Sequence, residues 1–228
     1  MTHASDNDNV SYVFRYFDVQ GYGETTRMLL TFLKLDWSEE LPEWPKEKEN
    51  QPFGHLPVLV EKNSLGETAF VLSESQAIER YLARKYSLMP ADLQQAARQE
   101  QLRDQLTEVQ KYHFEYCKAT GTRKEILVDK YREEASKLAE VHARVLRENG
   151  NNGHYVGDKT SYIDIAAYAF FKFFRSEGPR ALEKQLRLFE PENAPEIAKL
   201  NATIEAEEDL APYFASPANS TRPTTLFK

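Results

Sequence analysis

The chain has 228 residues, 41% apolar and 29% charged, an ordinary balance for a globular fold of one large or two small domains. Acidic residues outnumber basic ones 36 to 29, and the net charge of −7 argues against a nucleic-acid or anionic-membrane partner. A single cysteine, Cys117, excludes an intramolecular disulfide framework and a multi-cysteine zinc or iron–sulfur centre, so a reducing, cytoplasmic location is expected. No run of about 18 apolar residues is present, so no membrane span is expected.

Residues 1–9 are polar and acidic and lack the pattern of a signal or transit peptide; they are expected to form a disordered leader. Tyr12 to Phe17 is aromatic and β-branched, which predicts a strand. Glu24 to Leu35 places Met28, Leu29, Phe32 and Leu33 on one face of a helix. A short strand is expected near Trp37, then a polar loop from Leu41 to Gly54. Leu56 to Glu61 and Ala69 to Leu72, separated by the Gly66-Glu67 turn, predict a hairpin. Ser73 is the expected N-cap of a helix whose apolar face is Ala77, Ile78, Tyr81 and Leu82. A β-α-β crossover followed by a hairpin and a helix makes a four-stranded sheet of mixed direction.

Beyond residue 90 the pattern becomes helical, near 90–118, 123–149, 161–175, 179–187 and 194–209. The glycine-rich stretch from Gly150 to Gly157 divides the second helix from the third. Ser161 with Asp164 at the third helical position forms a capping box, with Asp in place of Glu. Ile165 to Phe174 is almost wholly apolar, which predicts the core helix of an all-α domain. The expected domains are 10–87 and 90–228.

Four segments stand in register: Tyr16-Phe17-Asp18-Val19-Gln20-Gly21-Tyr22-Gly23-Glu24-Thr25-Thr26-Arg27, Trp44-Pro45-Lys46-Glu47-Lys48, Pro52-Phe53-Gly54-His55-Leu56-Pro57-Val58-Leu59 and Glu74-Ser75-Gln76-Ala77-Ile78-Glu79-Arg80-Tyr81-Leu82-Ala83. Together they resemble the cytosolic glutathione transferases of the tyrosine type, in the sigma, alpha, mu and pi group. The resemblance implies a thioredoxin-like, glutathione-binding domain followed by an all-α domain, in a homodimer.

By that resemblance, Tyr16 is the catalytic residue. A thiol with an ordinary pKa near 8.5 is mostly protonated at neutral pH, and a hydrogen bond donated to sulfur favours the thiolate. Tyr16 would therefore stay protonated and donate. The resemblance makes the Leu56–Pro57 peptide cis, which frees the Leu56 backbone to pair with the cysteinyl unit of glutathione. Glu74 and Ser75, at a helix N-terminus, would take the γ-glutamyl end. Trp44, Lys48 and His55 would reach the glycyl end. In these proteins an acidic residue of the first helix of the second domain crosses from the other protomer; Asp104 and Glu108, four apart, are the candidates, and Asp104 of the partner subunit is the one expected. Tyr22, Tyr112, His113 and Tyr116 would line the pocket for a small hydrophobic electrophile, in a stretch that also holds Phe114.

One departure stands out: relatives of this group usually carry Arg where Tyr22 stands, and Arg15 or Gln20 would have to compensate. Three other readings remain. Gly21-x-Gly23 between a strand and a helix resembles part of a dinucleotide fingerprint, but Thr26 occupies the third glycine position. A glutathione-dependent isomerase would use the same site by reversible thiol addition to a conjugated alkene, with glutathione as true cofactor. A non-catalytic binding protein of the same fold would not need Tyr16, Pro57 and Ser75 together.

Overall fold

A computed structural model describes residues 10–175 and 187–224. The expected leader and all but the last residue of the helix expected at 179–187 lie outside the described residues.

The first part alternates as expected: β1 (Ser11–Arg15), α1 (Glu24–Phe32), β2 (Asp36–Glu40), β3 (Val58–Lys62), β4 (Thr68–Ser73) and α2 (Ser75–Lys85). The sheet order is β2-β1-β3-β4. β1 runs parallel to β2 and antiparallel to β3, and β3 pairs antiparallel with β4. The crossover β1-α1-β2 gives the parallel pair, and the hairpin gives the antiparallel one. Met28, Leu29 and Leu30 of α1 and Ile78 and Leu82 of α2 are fully buried in the same cluster as Phe14 and Leu59.

Several boundaries differ from expectation, among them the end of α1, which stops at Phe32 rather than Leu35, and three have a clear local reason. β1 stops at Arg15, because Arg27 draws the carbonyls of Phe17 and Val19 inward at 3.0 and 2.8 Å. β3 starts at Val58, because Pro57 has no N–H to give the ladder. Ser73 is not the N-cap of α2. It closes β4 opposite Val58, and its hydroxyl donates to the Pro57 carbonyl at 3.4 Å. Glu74 takes the cap position at φ +73, a left-handed turn from strand into helix.

The second part is helical: α3 (Leu93–Lys118), α4 (Gly121–Glu148), α5 (Tyr162–Arg175) and α6 (Pro195–Glu205), then two short helices, α7 (Ala211–Ala215) and α8 (Pro217–Thr221). Asp92 caps α3 by accepting the Gln95 N–H at 2.9 Å. α5 is the central helix, with Ile163, Ile165, Ala167, Phe171 and Phe174 at zero exposure. Its capping box forms: Asp164 accepts the Ser161 N–H and hydroxyl at 2.8 and 2.7 Å, and its other oxygen accepts the Tyr155 N–H at 2.7 Å. No helix of the described residues is long and apolar enough to cross a membrane.

Buried charges join the two parts. Arg103 of α3 donates twice to Glu79 of α2, both at 2.7 Å, and Tyr162 adds a third bond to the same carboxylate at 3.2 Å. Lys172 of α5 donates to Glu24 of α1 at 2.8 Å, and the Tyr213 hydroxyl bonds both. Burial alone would push the Glu24 carboxyl up. Lys172, Tyr213 and Arg27 together hold it below the usual carboxylate range.

Candidate functional site

Strand register assembles the site. Arg15, Val58 and Ser73 stand side by side across β1, β3 and β4. Tyr16, Pro57 and Glu74 are the next residue of each segment beyond that row. Leu56–Pro57 is a cis peptide, as expected, and so is Trp44–Pro45, which the sequence did not reveal.

Tyr16 is 5% exposed. Its ring lies near Phe14 and Phe17, with centroids at 6.1 and 5.6 Å, and the Arg27 guanidinium sits 5.5 Å from its centroid. Its hydroxyl accepts the Tyr22 N–H at 3.0 Å, which leaves the phenolic hydrogen free to donate elsewhere. Burial pushes the phenol up, while the Tyr22 N–H and Arg27 pull the other way. The net direction is upward, so Tyr16 is a neutral donor at physiological pH.

Gly21 and Gly23 make room for this ring. A Cβ on Gly21 would sit 2.6 Å from the Tyr16 hydroxyl, and the residue stands at φ +41. A Cβ on Gly23 would overlap the ring carbon Cδ1 and lie 2.9 Å from Cε1. The glycine pair that resembled part of a dinucleotide fingerprint thus makes room for a tyrosine.

The loop after β2 closes one end of the row. Trp44 meets Phe17 edge-on at 5.3 Å. The Lys48 stem lies over Gly54, where an added Cβ would be 3.5 Å from Lys48 Cε. His55 is exposed and Leu56 half-buried beside it. At the other end Glu74 is exposed, its side chain caps none of the α2 amides, and half-buried Ser75 opens the helix. Tyr16, Trp44, Lys48, His55, Leu56, Pro57, Glu74 and Ser75 are therefore brought together around one sheet edge. Asp104 lies on α3 across from α2, where it pairs with Arg80 and is largely exposed. It borders a groove with Gln76 and Thr107.

The aromatic set divides. Tyr22, whose phenol burial pushes up to about 12, packs on Phe114 at 5.0 Å, and Phe114 on Phe173 at 5.7 Å. His113 points into the core between Phe173 and Phe174, at 5.5 and 5.3 Å, and burial lowers its pKa to about 4. Tyr112 and Tyr116 lie under Lys130 and Lys124 of α4, at 5.3 and 4.6 Å. Phe114, rather than these three, is the α3 side chain that meets Tyr22. Cys117 Sγ is 3.5 Å from His113 Nε2, and burial raises its pKa.

Neither expected compensator for Tyr22 works by charge. Arg15 pairs outward with Glu40 at 2.6 Å, and the Gln20 amide donates to the Arg222 carbonyl at 3.3 Å. The cation beside Tyr16 is Arg27, 1% exposed, with Nε bonded to Glu39 at 2.7 Å. Arg27 closes the first of the four motif segments, but sequence reasoning gave it no role. The available signal was an arginine next to Met28 on the buried side of an amphipathic helix.

Comparison with known proteins agrees with this fold. A family model described as glutathione S-transferase, C-terminal domain, matches residues 94–217. The chain is 31% identical over 166 residues to glutathione S-transferase P 1 of Xenopus laevis, covering 67% of this chain and 72% of the relative. It is 30% identical over 164 residues to probable glutathione S-transferase 7 of Caenorhabditis elegans, covering 68% and 76%. The solved structure of a Nu-class enzyme from Haemonchus contortus superposes with a TM-score of 0.72 at 24% identity, over 95% of this chain and 98% of that one. The chain belongs to the glutathione S-transferase family.

Proposed function

We propose that this protein is a glutathione transferase in which Tyr16 donates a hydrogen bond to the glutathione sulfur and the thiolate attacks a small hydrophobic electrophile. The observation that carries this reading is the row Tyr16, Pro57, Glu74. It spans two strand spacings, about 9.5–10 Å. An extended tripeptide covers about the same length. The cysteinyl backbone pairs with Leu56, which places its sulfur at Tyr16. The γ-glutamyl end meets Glu74 and Ser75, with Asp104 of the partner subunit on its ammonium. The glycyl carboxylate reaches Lys48, beside Trp44 and His55. Tyr22 and Phe114 begin the electrophile pocket on the helical side.

The same reading takes 10–87 as the glutathione-binding domain and 90–228 as the helical one. The chain acts as a homodimer in the cytoplasm, and Phe53, 66% exposed beside the site loop, supplies an apolar anchor for the second copy.

Tyr16→Phe tests it. A hydrogen bond to a charged group contributes about 1.5–3 kcal/mol. Turnover with a chromogenic electrophile should fall about 10- to 150-fold, with glutathione affinity largely kept. The pKa of the bound thiol, followed by its ultraviolet absorbance, should rise toward the free value. Unchanged turnover and thiol pKa would remove Tyr16 from the mechanism. Product mass separates addition of glutathione from isomerisation.

A further inference from the structure

We propose that Arg222 is a positioning residue for Tyr16, acting through the turn that follows β1; the inference rests on the role given to Tyr16 above. Residues 219–224 lie more than 190 positions from this turn in sequence, yet they bind its backbone directly. Gln20 N–H donates to the Pro223 carbonyl at 2.8 Å, and Gly21 N–H to the Thr224 carbonyl at 3.1 Å. The Gln20 side chain adds a bond to the Arg222 carbonyl at 3.3 Å. Three consecutive carbonyls of one segment thus hold two consecutive residues of the other.

Arg222 locks that segment in place. It is 8% exposed, and each guanidinium nitrogen has a partner. Nε donates to Asp18 at 2.9 Å, NH1 to Asn219 at 2.7 Å and NH2 to Glu39 at 2.8 Å. Glu39 uses its other oxygen for Arg27, whose own guanidinium binds the Phe17 and Val19 carbonyls from beneath. The turn 17–21 is therefore held from both sides by two arginines that share one carboxylate.

What this frame sets is the Tyr22 amide. Gly21, at φ +41, is followed directly by the N–H that donates to Tyr16 at 3.0 Å. That bond fixes the hydroxyl and leaves its hydrogen aimed at an acceptor. With Tyr22 directly after Gly21, the turn has no cation of its own. Arg27 and Arg222 supply the restraint from outside it. A loosened turn would leave glutathione's backbone and both ends bound, because Leu56, Ser75 and Lys48 lie on other elements. The sulfur contact would suffer most, with a smaller effect through Trp44, which packs on Phe17. The signature of positioning is thus a fall in kcat and a rise in bound-thiol pKa with little change in KM for glutathione.

The experiment compares wild type, Tyr16→Phe, Arg222→Ala and Arg222→Lys as full chains, with glutathione as the probe. Arg222→Ala should lower kcat about 3- to 10-fold, raise the bound-thiol pKa, and leave KM for glutathione within about twofold. Arg222→Lys, which keeps the charge and one bond, should recover part of the loss. Amide exchange over residues 17–23 should speed up in Arg222→Ala while α5 stays protected. If Arg222→Ala folds poorly, Asn219→Ala removes one of the three guanidinium bonds and should show the same pattern at smaller amplitude. An unchanged thiol pKa and kcat in Arg222→Ala, with Tyr16→Phe impaired, refutes the positioning role alone. Unchanged exchange in 17–23 refutes the clamp. No effect of Tyr16→Phe refutes the reading of the site, and the inference falls with it.

Discussion

Gly23→Ala isolates the fit between the turn and the catalytic ring. Gly23 sits at φ −90 and ψ −15, a conformation any residue adopts, so alanine brings no backbone strain. It should even gain about 0.4–1 kcal/mol by restricting the unfolded chain. Space decides the outcome. The added methyl would overlap Cδ1 of Tyr16 and stand 3.0 Å from Cγ, where carbon contacts are normally about 3.5–4.0 Å. The contact is at the base of the ring, so no tip rotation relieves it, and Phe14, Phe17 and Arg27 close the other directions. Overpacking of this kind costs about 1–3 kcal/mol, for a net loss of about 0–2.5 kcal/mol. The displaced ring should cost at least tenfold in kcat. Gly66→Ala is the control. It stands at φ +76 with nothing within 4 Å of its Cβ, so it carries about 1–2 kcal/mol of backbone strain without touching Tyr16. Urea unfolding with a thiolate titration reads both effects. If Gly23→Ala keeps kcat and the bound-thiol pKa within twofold of wild type, the wedge argument is wrong.

Two further predictions concern the folded protein as a whole. Burial lowers the pKa of His142 to about 3 and that of His113 to about 4, from an ordinary 6.5. Between pH 6.5 and about 4 the unfolded chain therefore takes up protons that the folded one refuses, and stability falls as pH falls, by about 1.4 kcal/mol per unit for each histidine. His154 has the opposite sign: the Asp164 carboxylate 3.7 Å from its Nδ1 raises its pKa, and that contribution is lost as pH rises through the folded value. His142→Gln should flatten the acid slope by about one histidine's share in urea unfolding at pH 6 to 4.5, and an unaltered slope counts against this account. Phe53→Ser should weaken self-association. Burying a phenylalanine contributes about 1.5–3 kcal/mol, counted twice in a two-fold interface, so the dimer constant should change about 10²- to 10⁴-fold by sedimentation equilibrium. An unchanged constant places the interface elsewhere.

What was legible in the sequence is what short-range pattern controls. Short runs rich in aromatic and branched apolar residues, with the Gly66-Glu67 turn between two of them, marked β1, β3 and β4, and the apolar run of α5 with its Ser161–Asp164 cap marked the helical core. The cis Leu56–Pro57 peptide and the convergence of Tyr16, Trp44, Lys48, Leu56 and Ser75 came from motif resemblance, and strand register explains why those spacings meet. Glu74 at φ +73 was not legible, because Ser73 is the better cap by residue type. The ladder partner Val58 overrode that preference by holding Ser73 extended. His113 looked like a pocket aromatic from its neighbours. Its place among Phe173 and Phe174 depends on the rotation of α3 against α5, which a local window does not contain.

The charges around the turn show why the remainder was hidden. Asp18 and Arg222 are separated by 204 positions, Glu39 and Arg222 by 183. In sequence each reads as a solvated surface charge. Arg27 reads as an irregularity in an amphipathic helix. Only in the fold do they neutralise one another around the Phe17 and Val19 carbonyls. An arginine in place of Tyr22 would bring a cation and its restraint to one position. With Tyr22 there instead, the cation enters from α1 and the restraint from residues 219–224. The turn's geometry then depends on both ends of the described chain, and a change at Arg222 should be felt at Tyr16 before it is felt in glutathione affinity.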